Sequence, residues 1–204
     1  MTVKMGKGKN EYWFDDKQRI GYGKTGTGEV FIFDQEDFCK IKDTTWYRCN
    51  VRIKHGVYVG NSDGICIHRF LVSAPEGYEI DHINLNPLDN RKVNLRVCTH
   101  QQNQCNRDLQ KNNTSGVTGV SFYKPRNKYR ARIKYFQREF HLGYYDNFTN
   151  AVQARNEGMA LLFGEFGRYN DVPPAPPHIK RKVREKCSYF LKEVAAFNLS
   201  AGAD

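Results

Sequence analysis

The sequence predicts an α+β fold laid out in successive blocks, and three observations predict it. Short apolar runs separated by turn residues fill the first third of the chain. A segment dense in Asn, Asp, His and Arg follows. Strictly alternating apolar and basic residues then lead into an apolar stripe of helical period.

In the first block, residues 11 to about 72, Glu29–Asp34 (EVFIFD) and Trp46–Ile53 (WYRCNVRI) read as strands. Asn61-Ser62-Asp63-Gly64 reads as a turn between Val57-Tyr58-Val59 and Ile65-Cys66-Ile67. The glycine-rich run 21–28 invites a phosphate-loop reading at Gly23-Lys24-Thr25. That pattern needs a glycine at position 18, where Gln18 stands, so the reading is rejected.

The second block reads as a strand, a loop and a helix. Tyr78-Glu79-Ile80 ends in the adjacent pair Asp81-His82, Asn94 lies in the loop, and His100–Arg107 is expected to be helical with Asn103 on it. Adjacent strand side chains face opposite ways, so one of the pair can hold a metal while the other faces a substrate. Phosphodiester hydrolysis needs a base for water, a cation on the phosphate and help for the departing oxygen. An imidazole suits the base role near neutral pH. A carboxylate beside an amide oxygen suits a hard divalent ion. Each residue alone has a plainer reading: a strand end, a turn, an exposed helix position.

The third block, residues 113–170, reads as three short strands and a helix. In Tyr129-Arg130-Ala131-Arg132-Ile133-Lys134 the alternation puts Tyr129, Ala131 and Ile133 on one face and the cations Arg130, Arg132 and Lys134 on the other. After a turn at Phe136-Gln137-Arg138, Phe140 and Leu142 continue the apolar face, and His141 the polar one. Ala151, Ala154, Gly158, Leu161 and Leu162 of a helix over 148–163 are expected to cover the apolar side. Val172–Pro177 reads as a stiff spacer, and residues 179–197 as a basic helix. Its Lys180-Arg181-Lys182-Val183-Arg184 run fits either added backbone contacts with DNA or a solvated face.

A net charge of +10 with 13% aromatic residues favours a folded basic surface for a polyanion. No run is long and apolar enough to span a membrane, and no secretory signal heads the chain. An intracellular protein with reduced cysteines is therefore expected.

The words Glu79-Ile80-Asp81-His82, Asn94-Leu95-Arg96 and Asn103, with His68-Arg69 upstream, resemble the HNH nucleases of the homing-endonuclease type and their ββα-metal motif. The resemblance covers about forty residues. It implies that His82 activates water and that Asp81 and Asn103 bind one divalent ion, magnesium or manganese. It further implies that Asn94 braces the loop. His68 and Arg96 are candidate phosphate contacts; a structural hydrogen bond fits His68 equally well.

Ser115–Val120, Tyr129–Lys134, His141-Leu142-Gly143-Tyr144-Tyr145 and Ala151-Val152-Gln153-Ala154 are similar to the plant ethylene-response-factor type of DNA-binding domain over about 55 residues. Thr118, Ser121 and Tyr123 depart from its base-contacting residues. The resemblance implies a double-stranded DNA partner. With the cationic face it nominates Tyr123, Arg126, Arg130, Arg132, Lys134 and His141.

The expected organisation is an N-terminal segment plus nuclease core (1–110, core about 66–110), a DNA-binding domain (111–170), and a spacer with a basic helix (171–204). No obligate protein partner is evident. The expected function is a metal-dependent DNA endonuclease of a phage or bacterial mobile element, acting in a bacterial cytoplasm or a phage-infected cell. A non-catalytic DNA-binding regulator and an RNA-binding protein are the rivals.

Overall fold

A computed structural model describes residues 9–49, 56–107, 109 and 113–201, with side chains described to residue 193. It is 33% helical and 29% strand, in several small antiparallel sheets, which is an α+β architecture. The chain divides into two compact units, residues 1–103 and 104–204.

In the first unit β1 (Glu11–Asp15), β2 (Ile20–Lys24) and β3 (Val30–Asp34) form an antiparallel meander. The glycines of β2 are there for packing. Gly21 pairs with Phe33 and Gly23 with Phe31, and a Cβ at either glycine would lie 2.3 or 2.2 Å from the ring opposite. Removing the β-carbons lets Phe31 and Phe33 lie across β2. There they pack fully buried with Tyr12, Ile41, Trp46, Val59 and Ile67.

A short helix α1 (Phe38–Ile41) adds Phe38, edge-on to Tyr12 at 5.1 Å. Next, β4 (Tyr47–Arg48) pairs with β5 (Val59–Gly60). The expected strand over 46–53 is thus two residues long within the described part, and 50–55 lie outside it. The turn at 61–64 forms as expected, with Ile65 N–H donating to the Asn61 side chain. Its second arm is only a single bridge, Gly60 to Cys66. Ile67 instead opens helix α2 (Ile67–Leu71), because Ile67 and Leu71, four apart, both reach the aromatic core.

The second block is a hairpin, β6 (Tyr78–His82) on β7 (Leu95–Thr99), followed by α3 (His100–Asn103). The helix is shorter than the expected 100–107, and Asn103 is its last residue. The polar loop between the strands hangs on β3. Ile32 N–H donates to Leu88 O at 2.7 Å, and Asn90 N–H donates to Ile32 O at 2.8 Å. Lys92 adds its N–H to Asp34 and its ammonium to Glu36 and Asp37.

In the second unit β8 (Val120–Tyr123), β9 (Lys128–Tyr135) and β10 (Arg138–Tyr145) form a meander with β9 central. Phe136 and Gln137, both at positive φ, make the two-residue turn. Helix α4 (Phe148–Phe163) is capped by Asn147, whose Oδ1 accepts from Asn150 N–H at 2.8 Å. Ala151, Ala154 and Gly158 give the close approach expected; a Cβ at Gly158 would meet Leu142 at 2.8 Å. Leu161 is exposed, contrary to expectation. Val152, Met159 and Phe163 complete the inward stripe instead, because 152, 159 and 163 share one face at helical period.

The basic helix expected over 179–197 forms as α5 (Pro177–Ala201), and it packs on the sheet beside α4, where only one covering helix was expected. Its Ile179, Val183 and Cys187 enter the same core, and Phe190 stacks on Phe140 at 4.4 Å. The proline-rich stretch before α5 is not a free spacer. Val172 and Ala175 lie against that core, and Gln153 donates to the Pro173 carbonyl. Among the described residues no helix is long and apolar enough to cross a membrane.

The packing account of β2 has a direct check. Gly21→Ala should lower stability by about 1–3 kcal/mol in urea unfolding, the usual range for overpacking. Gly26→Ala, with open space around it, should change little. Equal stability of the two variants would show that the Phe33 ring does not need that space.

Candidate functional site

Asp81 and His82 end β6, and both are buried, at 5% and 4% exposure. A carboxylate so enclosed needs a donor. The β6–β7 register supplies one by placing Arg96 directly opposite. Arg96 Nε and Nη2 donate to Asp81 Oδ2 at 2.9 and 2.7 Å. Arg96, a candidate phosphate contact from sequence, is thus held by the candidate metal ligand.

His82 Nε2 lies 3.3 Å from Asn90 Oδ1. An amide oxygen only accepts, so Nε2 carries the proton and Nδ1 is the basic nitrogen. Burial pushes the His82 imidazole below its ordinary pKa, against the opposing pull of Asn90, Asp81 and Asp89. The ring is therefore neutral near pH 7. It packs against His68 at 5.0 Å and Tyr58 at 5.9 Å, both near-perpendicular. His68 is itself buried, with an unpartnered Nδ1. Burial, then the charges of His82 and Arg69, pull it down to about 3. It is a wall of the His82 pocket and carries no charge at neutral pH.

Asn94 ties the loop behind His82. Its Oδ1 accepts from Asn84 N–H at 2.9 Å and its Nδ2 donates to Asp89 O at 2.8 Å. Its own carbonyl accepts from Ile83 N–H at 2.9 Å. Asp89 in turn binds the Asn84 amide and the Arg91 guanidinium. Burial raises the Asp89 carboxyl, but Arg91 outweighs it and holds the group below the usual range.

Asn103 Nδ2 donates to Glu79 Oε2 at 2.5 Å, and His100 Nδ1 meets Glu79 Oε1 at 2.7 Å. Glu79 stands two residues before Asp81 and so projects from the same side of β6. With its nitrogen committed to Glu79, the atom the Asn103 amide could offer a metal is its oxygen. Asp81, Asn103 and the neighbouring Glu79 are all oxygen donors, the chemistry that suits magnesium or manganese. Among the described residues no group of three or more His, Cys, Asp or Glu could hold a metal ion. A divalent ion held there would draw on the Asn103 amide, water and a phosphate beside the carboxylates.

In the second unit the sheet's outer face carries the cations. Arg130 lies over the Tyr123 ring at 5.2 Å and Arg126 over Tyr144 at 4.5 Å. His141 packs on Tyr144 at 4.4 Å. Arg132 pairs with Glu139, and Lys134 is exposed beside it in register. Burial, with Lys186, Arg130, Arg126 and Lys182 nearby, lowers the His141 pKa.

Four residues of these surfaces escaped the sequence reading. Glu79 carried a signal, since it alternates with Asp81 on one strand. Tyr144 carried a weaker one, because a bulge between His141 and Gly143 shifts the alternation and sends Tyr144 outward with His141. Asn90 and Tyr58 meet His82 only through the folded loop and hairpin, and local pattern gives no warning of that.

Residues 73–105 match the model of a family described as HNH endonuclease. The chain is 42% identical over 59 residues to Protein 3.8 of Escherichia phage T7, covering 29% of this chain and 49% of that protein. It is 30% identical over 112 residues to an uncharacterized HNH endonuclease of Acanthamoeba polyphaga mimivirus, covering 52% of this chain and 57% of that one. The chain thus spans about half the length of the curated relatives it matches. No solved structure matches.

Proposed function

We propose that the protein is a metal-dependent endonuclease of the HNH type that hydrolyses phosphodiester bonds in double-stranded DNA, with the habits of a homing enzyme. The observation that carries this reading is the buried His82. Its tautomer is set by Asn90 and it stands next to Asp81, within the residues that match the HNH endonuclease model.

His82 Nδ1 takes a proton from water, and the water oxygen attacks phosphorus. The bond from phosphorus to the 3′ oxygen breaks, and solvent returns a proton to the leaving oxygen. Asp81 and Asn103 would hold one divalent ion, magnesium or manganese, which would polarise the phosphoryl group and offset the charge that develops. Glu79 keeps the Asn103 amide oriented, and Asn94 keeps the loop in place so that His82 does not drift. Arg96, which donates to Asp81, would have to share that carboxylate with a bound ion or turn to the phosphate.

The second unit reads duplex DNA through its outer sheet face, with Tyr123, Arg126, Arg130, Arg132, Lys134 and His141 toward phosphates and base edges. Its three strands and covering helix support the likeness to the ethylene-response-factor type. A sequence reader on the same chain as a nicking or cutting centre is what a targeted mobile-element nuclease requires. The proposed parts stay at 1–110, 111–170 and 171–204, and α5 of the last packs on the sheet of the second.

Three measurements test this reading. His82→Ala should slow cleavage of plasmid DNA by about 10²–10⁴-fold, the usual worth of a general base, while duplex affinity holds. Wild-type cleavage by the variant would remove His82 from the chemistry. Asp81→Asn should shift the magnesium requirement for cleavage to higher concentration, and an unchanged titration curve would exclude Asp81 as ligand.

The third concerns acid. His68 has a folded pKa of about 3, below the ordinary value of about 6.5, so the unfolded chain binds the extra proton. Its contribution to stability is complete above about pH 6.5 and is lost as pH falls toward 3. The urea midpoint should drop on going from pH 7 to pH 5, and less so in His68→Gln. Parallel pH profiles would show that His68 is not buried as a neutral ring.

A further inference from the structure

Helix α5 sorts its basic residues into two files. The apolar stripe Ile179, Val183, Cys187 faces the core. Lys182 and Lys186, each one residue before a stripe position, share the flank beside β10. Lys182 Nζ lies 5.0 Å over the Tyr145 ring and Lys186 Nζ reaches His141 O at 3.5 Å. Lys180, Arg181 and Arg184 line a separate surface groove with Pro177, Glu185 and Ser188. Only the first file adjoins the cationic sheet face, across the edge strand.

That edge gathers like charges. The groups acting on His141 are Lys186 and Lys182 from α5, Arg130 from β9 and Arg126 from the turn after β8, all cationic. Lys186 is half-buried, and burial and Lys182 together lower its pKa. Of the carboxylates nearest in the sheet, Glu139 is engaged by Arg132 and Asp146 by Lys128. The His141 Nε2 and Arg130 Nε atoms are buried without hydrogen-bond partners. Such a cluster is costly in the free protein, and the cost is offset when an anion arrives.

We propose that Lys182 and Lys186 of α5, with Arg126, Arg130 and His141 of the sheet, form one rim that grips the phosphate backbone of duplex DNA. The helix is then part of the DNA-binding surface and not only a brace behind it. This rests on the reading of the sheet as a DNA-binding face.

The test uses the full chain carrying His82→Ala in EDTA, so that DNA stays intact. Binding of a random-sequence duplex is followed by anisotropy across a salt series. Lys182→Gln/Lys186→Gln, which keeps most of each side chain's length, should make the log–log salt slope shallower by about 1.8, roughly 0.9 for each lost contact. Lys180→Gln/Arg181→Gln removes the same charge from the other file and should leave the slope within error. Circular dichroism and thermal unfolding confirm that each variant is folded.

Equal changes in both pairs would mean diffuse attraction and overturn the rim. An unchanged slope for Lys182→Gln/Lys186→Gln, with a shallower one for Arg126→Gln/Arg130→Gln, would remove α5 and keep the sheet reading. No change in any of the three pairs would overturn both.

Discussion

A twelve-residue polar loop cannot hold itself in place by burial, so the first unit depends on two backbone hydrogen bonds. Through them Ile32 of β3 receives the loop as a parallel neighbour, accepting from Asn90 and donating to Leu88. Residues 83–94 contain five Asn or Asp, and of their apolar side chains Ile83 and Val93 are exposed. Once Asn90 is fixed, its amide fixes the His82 ring, and Asn94 and Asp89 close the remaining turns around it. The aromatic core under β3 thereby acts at a distance on one imidazole: Phe31 and Phe33 seat β3, and β3 seats the loop.

The ββα segment was legible in the sequence because its side chains alternate on a short strand and its asparagines recur at fixed spacing. The outer face of the second unit was legible for the same reason, the strict alternation from Tyr129 to Lys134. What stayed hidden depends on long-range meeting. Asn90 is an ordinary loop asparagine until β3 pairs beside it. His68 looked equally suited to surface phosphate or to internal bonding, and only its place between Tyr58 and His82 puts it inside. Ile67 read as strand because alternation and helical period agree over three residues, and the core decided for the helix.

The C-terminal region shows a different limit. A proline run before a basic helix reads as a tether, since composition alone reports stiffness and charge. The stripe of Ile179, Val183, Cys187 and Phe190 was present in the sequence, but whether it would find a partner depended on how much of the sheet α4 left uncovered. Because α4 approaches closely through Ala151, Ala154 and Gly158, it leaves Phe140 for Phe190, and Tyr135 is shared between Phe163 of α4 and Phe190 of α5.

The pairing of Asp81 with Arg96 bears on the order of events when the protein meets its target. A bare carboxylate near an incoming polyanion would repel it. Here a tethered guanidinium cancels that charge before any ion is present. On the proposed function, a metal ion reaching Asp81 would compete with an arginine that never leaves the chain. An enzyme of the proposed kind would then stay inert toward DNA it merely passes over in ion-poor surroundings.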